Sequence, residues 1–144
     1  MIKKKYNKNA FLKLEAQIRY SLAFNNLKGK SLIILLEVLA DRRWERTTPR
    51  SKKFVRTDNN RFHIPYRKFN EPPFNLHNPI ISSSLAELLA VGFLTIIEQG
   101  GSRQGHATIF ALSEDFRGWK KQQEPFETRK SFSHRGFTSK KDDS

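Results

Sequence analysis

The architecture of this chain follows from residues 78–94, which read NPIISSSLAELLAVGFL. Asn78 and Pro79 are typical of a helix start, because an amide side chain can cap the first turn and proline suits the first helical position. Apolar residues then recur at helical spacing, namely Ile81, Leu85, Leu88 and Leu89. Gly92 predicts the end of that helix, and residues 93–98 predict a strand after it.

The residues before this stretch predict further helices. The strongest covers residues 31–41, where leucines at core spacing are joined by other aliphatic residues, so this helix is expected to be central. Residues 11–24 predict a helical segment with one buried face, which Ser21 could divide by capping a second short helix. A short helix is expected over residues 66–70, since Pro65 suits a first helical turn.

The predicted strands form one small antiparallel sheet. Residues 93–98 and 107–112 are typical of a β-hairpin, and the long tip between them holds three glycines. Residues 61–64 predict a short strand that would complete a three-stranded sheet. The run over residues 42–60 is basic, and the segment Thr47-Thr48-Pro49 interrupts any helix there.

The length of 144 residues fits one domain with short extensions. Residues 1–9 are expected to be a basic N-terminal arm, and residues 10–118 the folded domain. Residues 119–144 are polar and basic with isolated phenylalanines, and such a segment cannot bury enough apolar area to fold alone. It is therefore predicted to be a disordered basic tail.

Composition excludes several classes of protein. The chain has no cysteine, which excludes disulfide scaffolds, thiolate zinc sites and cysteine nucleophiles. The longest apolar run, residues 32–36, is far shorter than the roughly 18–20 residues that a membrane-spanning helix needs. The basic N-terminus is not followed by the apolar core of a signal peptide. These features predict a soluble, cytoplasmic protein without a membrane partner.

Positive charge dominates the sequence. There are 27 lysine and arginine residues against 14 aspartate and glutamate residues, a formal net charge of +13. Such a balance favours a polyanionic partner, with nucleic acid first and an anionic membrane second. Residues 1–60 hold 15 basic and five acidic residues, residues 61–116 hold four and five, and residues 117–144 hold eight and four. The excess therefore lies on the two flanks.

The predicted order of elements resembles a winged helix-turn-helix. Residues 27–42 resemble the first trunk helix of the DNA-binding family of this type that is known from bacteria, phages and plasmids. Residues 84–94 resemble the end of its recognition helix, and residues 105–113 resemble the strand that returns from its wing. The resemblance covers residues 10–116. It implies an α+β, mostly helical fold, a winged helix-turn-helix with a small antiparallel sheet and flexible basic termini.

The resemblance also implies a recognition helix, over residues 80–91, that enters the major groove of DNA. With the apolar face buried, the expected outward positions are Ser82, Ser83, Ala86, Glu87 and Ala90. Serine hydroxyls can bind phosphates or base edges. The helix departs from the expected pattern, because it has no lysine or arginine and carries an acid.

Candidate DNA-binding residues fall into four groups. They are Ser82, Ser83 and Glu87 on the recognition helix, Arg67 and Lys68 on the short helix, Arg103, Gln104 and His106 at the tip of the wing, and Arg42, Arg43, Lys52 and Lys53 in the basic run. An arginine at a glycine-flanked tip can enter a minor groove or meet a phosphate. The basic run, with Trp44 and Phe54 interleaved, favours a clamp on the nucleic-acid backbone.

Catalysis has little support in the sequence. The four histidines are too widely spaced for a local metal pattern, and neither a glycine-rich phosphate loop nor a nucleophile elbow occurs. No enzyme activity, metal or cofactor is therefore predicted.

Two functions follow from these features. The predicted one is sequence-dependent binding of double-stranded DNA, as a transcription regulator or replication-type factor. The alternative is a winged-helix protein-interaction module within a nucleoprotein assembly. In that case only the basic flanks touch nucleic acid, and the neutral helix meets a protein partner or a second copy of the chain.

Overall fold

The computed structural model describes residues 12–100 and 107–128, which form helices and two small antiparallel sheets. The helices are α1 (Ala16–Arg19), α2 (Leu22–Asn25), α3 (Gly29–Ala40), α4 (Tyr66–Asn70) and α5 (Asn78–Val91), and a 3-10 helix covers Asp115–Gly118. The strands are β1 (Trp44–Arg46), β2 (Phe54–Arg56), β3 (Leu94–Glu98) and β4 (Ile109–Leu112). The fold is α+β, and its element order is compatible with a winged-helix-like arrangement. Within these residues no helix combines the length and apolar character needed to cross a bilayer.

The hydrophobic core lies where α3 packs against α5. The fully buried side chains of these two helices include Ile34, Leu35, Ile81, Leu85, Leu88 and Leu89. The same cluster buries Phe69 of α4, Phe110 of β4, and Phe93, which lies between α5 and β3. Burying one such side chain contributes about 1.5–3 kcal/mol, so this cluster is the main source of stability.

The predicted apolar face of α5 is confirmed. In α3 the buried face is rotated, since Leu32 and Leu36 are half-buried while Ile34 and Val38 are buried beside Leu35 and Leu39.

Capping confirms one sequence prediction and corrects another. The Ser21 hydroxyl accepts a hydrogen bond from the Phe24 backbone N–H at 3.1 Å and caps α2, which confirms that two short helices replace one. The predicted cap by Asn78 is wrong, because α5 begins at Asn78 itself. The Asn78 Oδ1 atom accepts a hydrogen bond from Asn70 Nδ2 at 2.9 Å and so joins α5 to α4.

Gly92 ends α5 in the left-handed conformation, with φ at 93°. Its carbonyl accepts a hydrogen bond from the Phe116 backbone N–H at 3.0 Å, so the 3-10 helix lies directly on the end of α5. A Cβ atom at position 92 would lie only 2.6 Å from that nitrogen. Both the conformation and this close approach therefore require glycine.

Strands β3 and β4 form the predicted antiparallel hairpin, with Leu94 opposite Leu112. The predicted strand over residues 61–64 is reduced to one bridge, in which Phe62 and Phe110 exchange backbone hydrogen bonds of 3.0 and 2.8 Å. The prediction of a continuous three-stranded sheet is therefore wrong.

The backbone on either side of this bridge explains the difference. Asn60 precedes it in the left-handed conformation, with φ at 56°, and Pro65 follows without a backbone N–H. The Asn60 side chain replaces a strand residue: its Nδ2 donates to the Leu112 carbonyl at 3.1 Å, and its Oδ1 accepts from the Leu112 N–H at 2.9 Å. A side-chain amide thus completes the edge of β4.

A second hairpin lies within the basic run, where the sequence indicated no strand. Strands β1 and β2 pair antiparallel, with Trp44 opposite Arg56 and Arg46 opposite Phe54. Aromatic and β-branched residues favour strands, but runs of three residues give too short a pattern to identify in a charged segment.

The chain after the 3-10 helix returns to the body. The Phe126 backbone N–H donates to the Ala90 carbonyl at 2.9 Å. The Glu127 carboxylate accepts hydrogen bonds from Thr95 Oγ1 at 2.7 Å and from the Ile96 N–H at 3.2 Å. The packed structure therefore extends beyond the predicted end of the domain. Trp119 also packs against the hydrophobic core. Hydropathy gives little sign of the rest, because the contacts of Glu127 and of the Phe126 backbone are polar.

Candidate nucleic-acid interface

The outer face of α5 carries short, uncharged side chains. Its exposed residues include Asn78, Ser82, Ser83 and Ala86. The Ser82 hydroxyl lies 2.7 Å from the Tyr66 hydroxyl, so the start of α4 lies beside this face. The predicted outward placement of Ser82 and Ser83 is confirmed, while their contact with DNA stays a prediction.

Glu87 points toward the start of α3, and its predicted outward placement is wrong. Its Oε1 accepts hydrogen bonds from the Ser31 hydroxyl and from the Lys28 backbone N–H, the latter at 3.3 Å. Lys28 is the cap residue of α3 and Ser31 lies in its first turn, where unpaired N–H groups and the helix dipole favour a negative charge. With this acid withdrawn, the exposed residues of α5 include no charged side chain.

The two basic residues of α4 lie in different environments. Arg67 is exposed, and its Nε lies 3.4 Å from a carboxylate oxygen of Glu71, a contact that contributes little to stability at the surface. Lys68 is half-buried, and its Nζ lies 3.4 Å from carboxylate oxygens of both Glu37 and Asp41. Arg67 therefore remains available to a phosphate, whereas two acids neutralise Lys68.

Arg42 belongs to the interior and not to an exposed clamp, so its predicted accessibility is wrong. Its guanidinium donates two hydrogen bonds to the Glu15 carboxylate, at 2.8 and 3.0 Å, and only 5% of its side chain is exposed. It also donates to the backbone carbonyls of Lys13 and Leu39. Burial by itself raises the pKa of Glu15, but the hydrogen bonds and charge of Arg42 hold that pKa below its ordinary value.

Apart from Arg56, which is half-buried, the other basic residues of the run are exposed on the β1–β2 hairpin and at its base. They are Arg43, Arg46, Arg50, Lys52 and Lys53. Within residues 12–100 and 107–128 none of these five forms an ion pair. Their charges are therefore available to an anionic ligand.

We call the β1–β2 hairpin, residues 44–56, the arm, and this name does not refer to the predicted N-terminal arm of residues 1–9. Phe54 and Val55 point to opposite faces of β2, because successive strand residues alternate. Both are nevertheless exposed, by 41% and 46%. Neither face of the outer arm is therefore covered by the described residues.

Asp58 fixes the arm to the body. Its carboxylate pairs with Arg56 at 2.7 Å and accepts hydrogen bonds from the backbone N–H groups of Arg43 and Asn60. The hydrogen bonds from Arg56 lower the pKa of Asp58 far below its usual range, against the opposing effect of burial. Because Asn60 binds the backbone of Leu112, one polar network connects the arm to β4.

A cavity of about 430 Å³ lies at the base of the arm, between α3 and α4. Much of the charge in its wall is already paired, since Lys68 meets Glu37 and Asp41, and Arg56 meets Asp58. In the described part of the chain, no three histidine, aspartate or glutamate side chains are grouped so as to hold a metal ion. The basic and polar surfaces are therefore the better candidates for a site.

The predicted wing residues Arg103, Gln104 and His106 lie outside the described residues. Comparisons of the chain with protein-family models, with curated proteins and with solved structures found no match. The candidate interface therefore rests on geometry: it consists of the outer face of α5, Arg67 and the arm.

Sequence reasoning included Arg46 and Arg50 in the basic run but did not single them out as candidate residues. The available signal was alternation, because an aromatic residue and an arginine stand two positions apart in both β1 and β2. That signal identifies a hairpin only once the pairing register is known.

Proposed function

We propose that this protein is a winged-helix protein that binds double-stranded DNA, with α5 in the major groove and the arm on the phosphate backbone. The observation that carries the proposal is the outer face of α5, which follows α4 in helix-turn-helix order and exposes no charged side chain. The major groove admits an α-helix, and short polar side chains allow its backbone to approach base edges closely. Such binding is sequence-dependent and suits a transcription regulator or replication-type factor.

The outer face of α5 and the arm contribute to binding in different ways. Serine hydroxyls at positions 82 and 83 can donate and accept hydrogen bonds at base edges, although each contact discriminates weakly. The free energy of binding comes mainly from the exposed cations of the arm, which neutralise phosphates and release counterions. Arg67 is an exposed cation on α4, the helix whose Tyr66 hydroxyl contacts Ser82, and it would meet a phosphate beside α5.

The test begins with selection of preferred duplexes from a random-sequence pool. The affinity of the parent for the selected duplex is then compared with that of Ser83→Glu, which places a negative charge on the exposed face of α5. Gln17→Glu adds the same charge to an exposed position of α1 and serves as the matched control.

Ser83→Glu is expected to weaken binding about tenfold or more, because the new carboxylate meets phosphates in a confined groove. Gln17→Glu is expected to keep most of the parent's affinity. Failure to enrich any sequence, or equal affinities for the two variants, would contradict the proposal.

One observation favours the alternative function, a protein-interaction module. Ile80, near the start of α5, is 39% exposed. A single exposed apolar residue is ordinary on a protein surface, whereas interaction sites usually need a contiguous patch. If Ile80→Ser left duplex binding intact but abolished self-association or capture of a protein partner, the alternative would gain support.

A further inference from the structure

One face of the arm alternates aromatic rings with guanidinium groups. The strand register places Trp44 directly opposite Arg56 and Arg46 directly opposite Phe54, so all four side chains lie on the same face. Ring and cation therefore alternate both along each strand and across the pair. The two rings are diagonal neighbours, a relation that in antiparallel pairs corresponds to roughly 7–8 Å.

One cation of this face lies over a ring, whereas the ring of Trp44 contacts Lys13 and Arg42, which lie outside the two strands. The Arg46 Cζ atom is 5.5 Å from the centroid of the Phe54 ring. At the base of the arm, Arg42 Cζ is 4.9 Å from the centroid of Trp44. Cation–π contacts orient the planar groups, yet Phe54 remains 41% exposed. Part of its ring is therefore accessible to another planar group.

Charge and exposure together indicate what this face binds. The arm holds five basic residues and one acidic residue. Arginine and aromatic residues also occur at protein–protein interfaces, but lysine is depleted there, so the exposed Lys52 and Lys53 and the excess of positive charge favour a polyanion as the occupant. Aromatic rings set among cations match surfaces that bind unpaired bases, where rings stack on bases and cations meet phosphates.

We propose that the face of the arm formed by Trp44, Arg46, Phe54 and Arg56 binds unpaired bases of a single-stranded nucleic acid at its outer end, where Arg46 and Phe54 are exposed. Trp44 and Arg56, which pairs with Asp58, form the half-buried base of this face. Phe54 is the stacking residue, and Arg46 is the cation that holds the strand beside it. This inference goes beyond the proposed duplex binding, because it assigns a second form of nucleic acid to one face of the arm, whose cations meet the duplex backbone under that proposal. A ligand with a duplex next to an unpaired strand would meet both surfaces.

The experiment uses the full chain with labelled oligo(dT), oligo(rU) and a mixed-sequence duplex. Phe54→Leu keeps an apolar residue in β2 but removes the flat ring, and Phe54→Trp restores a ring. Val55→Ala, on the opposite face of the same strand, is the matched control. Thermal unfolding of each variant checks that the fold is retained.

Phe54→Leu is expected to weaken oligo(dT) binding about fivefold or more, the effect of removing one base stack, and to weaken duplex binding less, because the cations of the arm remain. Phe54→Trp and Val55→Ala should bind oligo(dT) like the parent. Tighter binding of oligo(rU) would support the inference and identify RNA as the strand.

Two results would overturn the inference while leaving the proposed duplex binding intact. One is equal oligo(dT) affinity for the parent and Phe54→Leu, and the other is an equal reduction in Phe54→Leu and Val55→Ala. Binding of oligo(dT) without any binding of duplex would instead contradict only the proposed function.

Discussion

The carboxylate of Glu87 caps α3, although Glu87 belongs to α5. The residue at the cap position of α3, Lys28, makes no side-chain capping hydrogen bond. A carboxylate from the neighbouring helix takes that role and also meets the hydroxyl of the buried Ser31. The helical pattern of α5 alone cannot show this contact, since it depends on where the N-terminus of α3 lies.

Removing this cap should reduce stability and not DNA binding. Glu87→Ala is expected to lower the free energy of unfolding by about 1–2 kcal/mol, because α3 loses a cap and the Ser31 hydroxyl loses its acceptor. Denaturant unfolding measures the change, and Glu124→Ala at an exposed site is the control. Unchanged stability with altered duplex affinity would show that Glu87 faces the ligand.

The paired acids predict a loss of stability in acid. The pKa values of Glu15 and Asp58 are lowered in the folded state, so the unfolded chain binds more protons as the pH falls. Their contribution is fully present above their ordinary pKa values, 4.5 and 3.8, and is lost progressively below them.

Asp58→Asn tests this dependence of stability on pH, because it removes one of the two carboxyl groups whose pKa is lowered. The variant should be less stable than the parent at pH 7, and its stability should fall less steeply on acidification. Urea unfolding at a series of pH values gives both quantities. Parallel stability curves for parent and variant would contradict a lowered pKa at Asp58.

Among the elements, the helices were more predictable than the arm. The apolar spacing of α3 and α5 extends over more than two turns, and in α5 it records the buried face directly. Strands β1 and β2 have three residues each, and their pairing depends on Asp58 and Asn60, which lie outside both strands. The prediction of a third strand over residues 61–64 was wrong for a related reason, because the Asn60 side chain takes the place of strand backbone at the edge of β4.

The arm should account for part of the salt dependence of duplex binding. Replacing Lys52 and Lys53 together by alanine is expected to reduce the slope of log affinity against log salt by about 0.9 for each phosphate that the variant no longer neutralises. Lys120→Ala with Lys121→Ala removes the same charge from another exposed lysine pair and is the control. Equal slopes for the two double variants would show that net charge, and not the arm, sets the dependence.

Considered as a whole molecule, the candidate interface combines residues that are far apart in the chain. The charge pattern predicted basic flanks, but it could not separate Arg42, which is buried with Glu15, from Lys52, which is exposed. Nor could it separate exposed Arg67 from Lys68, which lies between two acids. Such distinctions depend on tertiary contacts, which composition does not contain.

Two truncations test where the packed body ends. A chain ending at Trp119 lacks Glu127 and its hydrogen bonds to β3, whereas a chain ending at Thr128 keeps them. Since a hydrogen bond to a charged group contributes about 1.5–3 kcal/mol, the shorter chain should be the less stable by about that amount. Thermal unfolding compares them. Equal melting temperatures would support the predicted end of the folded domain at residue 118.

The most direct test of duplex binding through α5 and the arm is a chemical-shift titration of the ¹⁵N-labelled full chain with a selected DNA duplex. The backbone amides of residues 78–86 and 47–53 are expected to shift most, with smaller changes near Arg67. Amides of residues 114–124, on the 3-10 helix and the segment after it, should change little. The largest shifts in residues 114–124, or shifts in the arm without any in α5, would contradict the placement of α5 in the major groove.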